Sequence, residues 1–147
     1  MTASRHFPTN KVFFDASVII AVLLSPSGGS AKLLEFAKNK AIVAITSQTV
    51  IDEVIDHTEK IHKTPEEISL FVKESGFLVR ERVTQTEIEK VSGIVDSTDA
   101  HLLVGARGSA CQYLVTLDKK HLLRTDVQKM VAPLRIVNPK ELLGVFA

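Results

Sequence analysis

The sequence predicts a three-layer α/β/α domain built on a mostly parallel central sheet of four to five strands. Short apolar runs rich in β-branched residues alternate with helical patterns along the whole chain, which is typical of repeated β-α-β units. These runs are apolar on both faces, as buried parallel strands are. A length of 147 residues, with 45% hydrophobic and 24% charged residues, fits one globular domain. We expect residues 1–10 to form an N-terminal tail and residues 11–147 to form the single domain.

The first third of the chain is expected to form two strands and two helices. Residues 11–14 form a strand, and the apolar stretch 16–24 forms a helix that ends at the turn cluster of residues 25–29. A second helix is expected at residues 30–38, with Ser30 as its N-cap. The β-branched residues that follow predict a second strand at residues 41–46.

The start and stop signals of the next helices are local and specific. Ser47 can cap a helix that runs to about His62. Thr64, followed by proline and two glutamates, opens another helix, which ends at Gly76. The remaining predicted elements are strands at residues 77–83, 112–117 and 135–137, a polar helix at 84–93, a buried helix at 100–108 that opens at residues 96–99, and a short helix that begins at Pro139.

Four carboxylates lie near the ends of these elements. Asp15 and Asp118 end apolar strands, and the carboxyl ends of parallel strands are where such sheets bind ligands at a switch in strand order. Glu53 and Asp99 lie in the first turns of two helices and can face the same crevice. Like charges a few Å apart destabilise each other's ionised forms, so four converging acids require a cation. Oxygen ligands without a His/Cys cluster favour Mg²⁺ or Mn²⁺ over zinc.

Each acid taken alone also has a structural interpretation. Asp15, Asp96 or Asp99 can cap a helix, and N-cap aspartates are common. Glu53 and Asp118 can be solvated surface residues. The combination of the acids at one sheet edge is what favours a functional site.

The segments that carry these acids resemble the successive motifs of PIN domains. In chain order the matching segments are KVFFDAS at 11–17, Glu53 within a helix, DSTDAH at 96–101, YLVTLDKKHLL at 113–123 and RIVNPKELL at 135–143. The resemblance covers about residues 11–146. No single motif is specific, whereas their order and spacing together are.

The resemblance implies a Mg²⁺- or Mn²⁺-dependent ribonuclease. By position, its catalytic and metal-binding residues would be Asp15, Glu53, Asp99 and Asp118. Many chains of this size resemble VapC-type toxins, whose partner is a small antitoxin, and residues 25–29 look most like the toxin branch. Two alternatives stay open: a non-catalytic RNA-binding or assembly module of the same fold, and an RNA-processing nuclease outside any toxin–antitoxin pair. The complete set of acids favours the enzyme.

Other polar residues are expected to support this chemistry. By the same resemblance, Asp96 would be an accessory acid. Ser17 and Thr116 each stand two residues from an acid and are suited to orienting carboxylates. Candidates for contacts to the RNA backbone, which supply affinity without sequence information, are Arg107, Lys119 and Lys120.

Charge and cysteine content indicate how the protein can bind phosphate and in which redox compartment it works. Eighteen Lys and Arg against 17 Asp and Glu give a net charge of +1, so phosphate binding must come from local charge or metal. The single cysteine, Cys111, excludes an internal disulfide and suits a reducing compartment. The apolar run at 12–24 faintly resembles a signal peptide, but Asp15 interrupts it and the rest is too short to span a bilayer. We therefore expect a cytoplasmic protein without membrane association.

A homodimer is also predicted. The apolar helices at 18–24 and around 50–61 carry more hydrophobic surface than one sheet face is expected to cover. Large exposed apolar patches usually mark association.

Overall fold

The computed structural model describes residues 10–146 and consists of a five-stranded, all-parallel sheet flanked by helices. The predicted fold class is thereby confirmed. The strands are β1 (Asn10–Phe14), β2 (Ile42–Ser47), β3 (Leu78–Arg80), β4 (Tyr113–Val115) and β5 (Arg135–Val137). The tail predicted at residues 1–10 lies outside the described residues except for Asn10, which belongs to β1.

The helices follow many of the local signals in the sequence. Ser47 accepts a hydrogen bond from the Val50 amide at 3.1 Å, and Thr64 forms a capping box with Glu67. Gly76 ends the following helix with φ +81°. The helices are α1 (Ala16–Leu24), α2 (Gly29–Lys38), α3 (Gln48–Ile55), α4 (Thr58–Ile61), α5 (Pro65–Glu74), α6 (Gln85–Glu89), α7 (Ala100–Gly108), α8 (Thr125–Val131) and α9 (Pro139–Phe146).

The helices differ from the predictions at several places. The helix expected to continue to His62 is broken after Ile55. There the ring Nδ1 of His57 lies 2.8 Å from the carbonyl oxygen of Glu53, the acceptor that a continuing helix would use for the His57 amide. Ser30 is not an N-cap; Gly28 holds that position and Ser30 is buried within α2. The polar helix expected at residues 84–93 ends as α6 at Glu89, and helix α8 was not predicted from the sequence.

Two strands are shorter than predicted. β3 is an edge strand of three residues that pairs only with the end of β2. β4 ends at Val115, and the side chain of the next residue, Thr116, donates to Asp15 and accepts the backbone N–H of Asp118 at 3.0 Å. Asp118 therefore lies in the turn after β4 rather than at the last residue of the strand.

The strand order places a switch point between β1 and β4. The order β3-β2-β1-β4-β5 shows that the chain first extends the sheet on one side of β1 and then continues on the other side. In parallel sheets the crevice at the carboxyl ends of two such strands is the usual ligand site. Asp15 follows β1 directly, and Thr116 follows β4.

Helix α7 brings a further acid to this crevice. Its last residues lead directly into the amino end of β4, so its own first turn, preceded by Asp99, lies at the carboxyl edge of the sheet. The helix lies so close to β1 that a Cβ added to Gly105 would be only 2.4 Å from Cζ of Phe13. Only a glycine permits this distance between the helix and the sheet.

The apolar helix faces that suggested a homodimer are largely buried within the chain. Val18, Val22, Val50 and Val54 are buried, whereas Leu24 is 49% exposed. The homodimer therefore stays a prediction that has lost most of its original support. Within residues 10–146, no single helix is long and apolar enough to cross a membrane; α1 and α2 meet that test only as a pair bent by 102°.

Candidate active site

Asp15 is a buried carboxylate at the carboxyl end of β1. It occupies the N-cap position of α1, yet its side chain makes no capping hydrogen bond. Its Oδ2 accepts hydrogen bonds from the hydroxyls of Thr116 at 2.7 Å and Ser17 at 2.9 Å. Burial raises the pKa of Asp15, and the charge of Glu53 adds to that effect, while the two hydroxyls act in the opposite direction. The helix-cap interpretation of Asp15 is therefore not supported.

The same two hydroxyls connect Asp15 to the turn after β4. Thr116 Oγ1 accepts the amide N–H of Asp118 at 3.0 Å, and Ser17 Oγ accepts the amide N–H of Leu117 at 3.1 Å. Each hydroxyl thus donates its hydrogen to the Asp15 carboxylate and accepts a backbone N–H of the turn with its oxygen. The predicted supporting residues hold two segments that are about one hundred residues apart in the sequence.

Asp99 lies at the start of α7, among other acids. Like Asp15, it occupies an N-cap position without a side-chain capping bond. Burial raises the pKa of Asp99, and the charges of Asp118, Asp15 and Asp96 raise it further, whereas His121 acts in the opposite direction. The acids that follow β1, precede α7 and follow β4 therefore lie close enough to influence one another's ionisation, and they form one cluster.

Glu53 reaches the cluster from α3 and contacts a buried histidine. Its Oε1 lies 3.3 Å from Nε2 of His101, and His101 is only 6% exposed. The other ring nitrogen, Nδ1, is buried without a hydrogen-bond partner among the described residues. A hydrogen on Nε2 would therefore be donated to Glu53, and the unpaired Nδ1 would carry a lone pair.

Asp118 makes hydrogen bonds within its own turn. Its Oδ1 accepts the amide N–H groups of Lys120 at 3.1 Å and His121 at 3.0 Å. Its Oδ2 lies 3.3 Å from Nδ1 of His121, and Nε2 of the same ring lies 3.9 Å from Oδ2 of Asp96. Asp96 is the most exposed acid of the group.

The structure brings together most residues singled out in the sequence. The residues that lie in or beside the cluster are Asp15, Ser17, Glu53, Asp96, Asp99, Thr116 and Asp118, with the exposed Lys119 and Lys120 next to it. Arg107 lies in the last turn of α7 and donates to the Met130 carbonyl at 3.4 Å. A nine-residue helix is roughly 13 Å long, so Arg107 is remote from the acids.

Two histidines of the site were not selected from the sequence. His101 follows Asp99 by two residues, and the sequence carries no signal that separates a substrate contact from a packed helix residue there. His121 was noted only as part of a motif, although the spacing from Asp118 to His121 is that of neighbours in a tight turn. That spacing was the available signal.

The donor atoms of this cluster fit a divalent cation. One oxygen from Asp96, one from Asp99 and one ring nitrogen from His121 lie within 4.8 Å of one another, in the part of the chain that is described. Asp15 and Asp99 have pKa values raised by burial and by neighbouring acids, so their ionised forms lack full compensation. A bound cation would supply that compensation.

The sequence matches the PIN domain family over residues 11–120, and the chain belongs to that family. Among solved structures it is similar to VapC20 of Mycobacterium tuberculosis, a sarcin–ricin loop cleaving toxin, with 17% identity and a TM-score of 0.56 over 74% of this chain and 91% of that one. It is also similar to VapBC2 of Rickettsia felis bound to a DNA fragment from its promoter, with 19% identity and a TM-score of 0.59 over 87% of this chain and 98% of that one. At these identities the likeness shows the fold. No significant relative was found among curated protein sequences.

Proposed function

We propose that this protein is a metal-dependent endoribonuclease and the toxin of a toxin–antitoxin pair. The observation that carries the proposal is the buried Asp15 carboxylate, which shares a sheet-edge crevice with Asp99, Asp118 and Glu53. Membership of the PIN domain family and the similarity to a VapC toxin support this choice. Stability alone does not account for such a cluster, because uncompensated acids destabilise each other's charged forms.

The residues of the site divide into ligands and residues that orient them. Asp15, Glu53, Asp99 and Asp118 are the proposed acids that hold Mg²⁺ or Mn²⁺. When bound, a divalent ion lowers the pKa of water and neutralises charge that develops on a phosphate. Ser17 and Thr116 keep Asp15 in place through their hydrogen bonds, so the carboxylate does not have to reorganise during the reaction.

Cleavage of RNA by the wild type and by Asp15→Asn tests the enzymatic claim. Asparagine keeps an oxygen acceptor for the hydroxyls of Ser17 and Thr116 but removes the negative charge. We expect Mn²⁺-dependent cleavage by the wild type, loss of cleavage in EDTA and loss in Asp15→Asn. Asp126→Asn is the matched control, because Asp126 is exposed and pairs with Arg124 at 2.9 Å outside the cluster.

The outcomes separate the alternatives that the sequence left open. Equal cleavage by wild type and Asp15→Asn would contradict the proposed role of the acids. Absence of cleavage in both, together with RNA binding, would favour the non-catalytic module. Cleavage by a protein without any antitoxin partner would favour a processing nuclease.

Thermal denaturation with and without Mn²⁺ provides a measurement that is independent of cleavage. A ligand at about one hundred times its Kd stabilises a protein by about 2.7 kcal/mol. The wild type and Asp126→Asn are expected to gain this stabilisation, whereas Asp15→Asn is expected to lose it.

The RNA backbone is proposed to lie along a groove that begins beside Asp118. This groove, of about 440 Å³, includes Leu117, Lys119 and Lys140, and no acid lines it among the described residues. Lysines attract phosphates without sequence preference. Replacement of both Lys119 and Lys140 by alanine is expected to weaken RNA binding and reduce its salt dependence, while Lys38→Ala on another surface leaves both unchanged.

The antitoxin is proposed to bind a second groove between α1, α2 and α5. This groove, of about 470 Å³, is lined by apolar side chains that include Leu34, Leu70 and Phe71, and Leu70 is 53% exposed. The similarity to VapBC2 supports a partner of this kind. Co-expression with the product of a small open reading frame beside the gene tests it: Leu70→Asp should abolish co-purification, whereas Leu78→Asp on β3 should not.

Sedimentation of the isolated chain tests the predicted homodimer. A monomer at high micromolar concentration would contradict it, and this result would leave the antitoxin proposal intact.

A further inference from the structure

His121 stands out because its ring is held between two acids at the edge of the cluster. Nδ1 lies 3.3 Å from Oδ2 of Asp118, and Nε2 lies on the side of Asp96. Donor atoms about 2.1 Å from one ion are roughly 3 to 4 Å apart, and the atoms of Asp96, Asp99 and His121 all lie within 4.8 Å of one another. The three donor atoms are therefore close to the spacing that a shared ion requires.

The hydrogen bonds of Asp118 determine how the ring is presented. An ionised carboxylate can only accept, so the His121 nitrogen that faces it, Nδ1, must donate. In a ring with one hydrogen, Nε2 then carries the lone pair and faces Asp96. A histidine that binds a metal commonly donates its second N–H to a carboxylate in this way. The backbone amides of Lys120 and His121 hold the other oxygen of Asp118, which fixes the carboxylate.

We propose that His121 Nε2 is a further metal ligand beside Asp96 and Asp99, and that Asp118, in addition to its place among the four acids, positions the His121 ring. The inference rests on the metal dependence of the proposed function. Mg²⁺ prefers oxygen ligands, whereas imidazole nitrogen suits transition metals. The nitrogen ligand therefore makes the site prefer Mn²⁺ over Mg²⁺, and this preference is a property of His121 rather than of the four acids.

Pulsed electron paramagnetic resonance of bound Mn²⁺ tests the ligand directly. We expect a ¹⁴N coupling in the wild-type chain and in the control His62→Asn, where His62 is exposed near α5 with φ +58° and asparagine tolerates that conformation. The coupling should be absent in His121→Asn. His121 is 45% exposed, so its replacement is expected to leave the melting temperature of the metal-free protein unchanged.

Calorimetric titration with both ions tests the preference. His121→Asp replaces nitrogen by oxygen, so the ratio of Mg²⁺ Kd to Mn²⁺ Kd should fall at least about tenfold relative to the wild type. Asp118→Asn should weaken Mn²⁺ binding by about ten- to a hundredfold and reduce the ¹⁴N coupling, because the amide no longer requires Nδ1 to donate. Weaker Mn²⁺ binding with an unchanged ¹⁴N coupling in Asp118→Asn would contradict the role of Asp118 in positioning the ring.

The result that would overturn the inference differs from the one that would overturn the proposed function. Wild-type protein that binds Mn²⁺ and cleaves RNA without a ¹⁴N coupling, or with a coupling that survives in His121→Asn, contradicts the ligand role alone. Absence of Mn²⁺ binding in the wild type contradicts both.

Discussion

The close packing of α7 on β1 leads to a prediction for Gly105→Ala. The added Cβ would lie 2.4 Å from Cζ and 2.6 Å from Cε2 of Phe13, a fully buried side chain. Carbon atoms in contact are normally about 3.5 to 4.0 Å apart, so the helix or the ring must move by about 1 Å. Because Asp99 immediately precedes α7, such a shift would also displace a carboxylate of the candidate site.

The expected loss of stability follows from two opposing effects. Overpacking a core costs about 1 to 3 kcal/mol, and the backbone of α7 and the buried ring leave little room to relax. Alanine is a better helix former than glycine by about 1 kcal/mol, which offsets part of that cost. With so little room to relax, we place the overpacking cost at the upper end of its range, so the net destabilisation is about 2 kcal/mol. This lowers the melting temperature of a chain of this size by about 4 to 8 °C.

Thermal unfolding of a double-mutant cycle measures this contact. Phe13→Leu removes the ring atoms that the new Cβ would meet, so Gly105→Ala should cost at least about 1 kcal/mol less in the Phe13→Leu background. Gly144→Ala is the matched control, since a Cβ there meets nothing within 4 Å and its helix position favours alanine. A Gly105→Ala protein that melts at or above the wild-type temperature would refute the close approach of α7 to β1.

Three further predictions concern the helix caps and the acids. Thr64→Ala removes the acceptor of a capping box, so the free energy of unfolding should fall by about 1 kcal/mol; Thr64→Ser should keep it, and equal melting temperatures for both variants would contradict the cap. Burial raises the pKa of Asp15 and Asp99 above the ordinary value of 3.8, so in EDTA the folded chain binds protons more tightly than the unfolded chain. The free energy of unfolding should therefore fall as the pH rises from about 4 through the raised pKa values. Denaturant titrations should show a smaller fall for Asp15→Asn than for the wild type. Identical pH profiles for the two proteins would show that the buried charge of Asp15 does not cause the fall. His101→Leu stays close to the volume of histidine but removes the contact with Glu53, so calorimetry should show Mn²⁺ affinity lowered about ten- to a hundredfold with little loss of stability. An unchanged affinity would show that His101 only fills space.

Local signals were sufficient where an element's limits depend on neighbouring residues. Ser47 and Thr64 cap helices as predicted, and the glycine at 76 ends one, because each of these interactions spans only a few residues. The predictions failed where side-chain contacts accompany the end of an element. The helix after β2 breaks where the His57 ring, rather than the His57 amide, meets the Glu53 carbonyl four residues earlier, and β4 ends where Thr116 hydrogen-bonds to Asp15, 101 residues away.

By itself, the sequence determined the fold class and singled out the candidate acids. Alternating apolar runs and helical patterns specify a parallel sheet, and charged residues at the ends of apolar strands are recognisable without coordinates. The resemblance to PIN domains, carried by the order of short motifs, was confirmed by the family match.

Only the tertiary structure decided how the acids differ from one another. Asp15 is buried and hydrogen-bonded to Thr116, 101 residues away, whereas Asp118 uses its oxygens to hold a turn and the His121 ring. Burial and hydrogen-bond partners depend on which segments meet in space, and that information is not contained in the spacing of any single motif. Two aspartates that look equivalent in the sequence therefore have different environments, and we propose different roles for them.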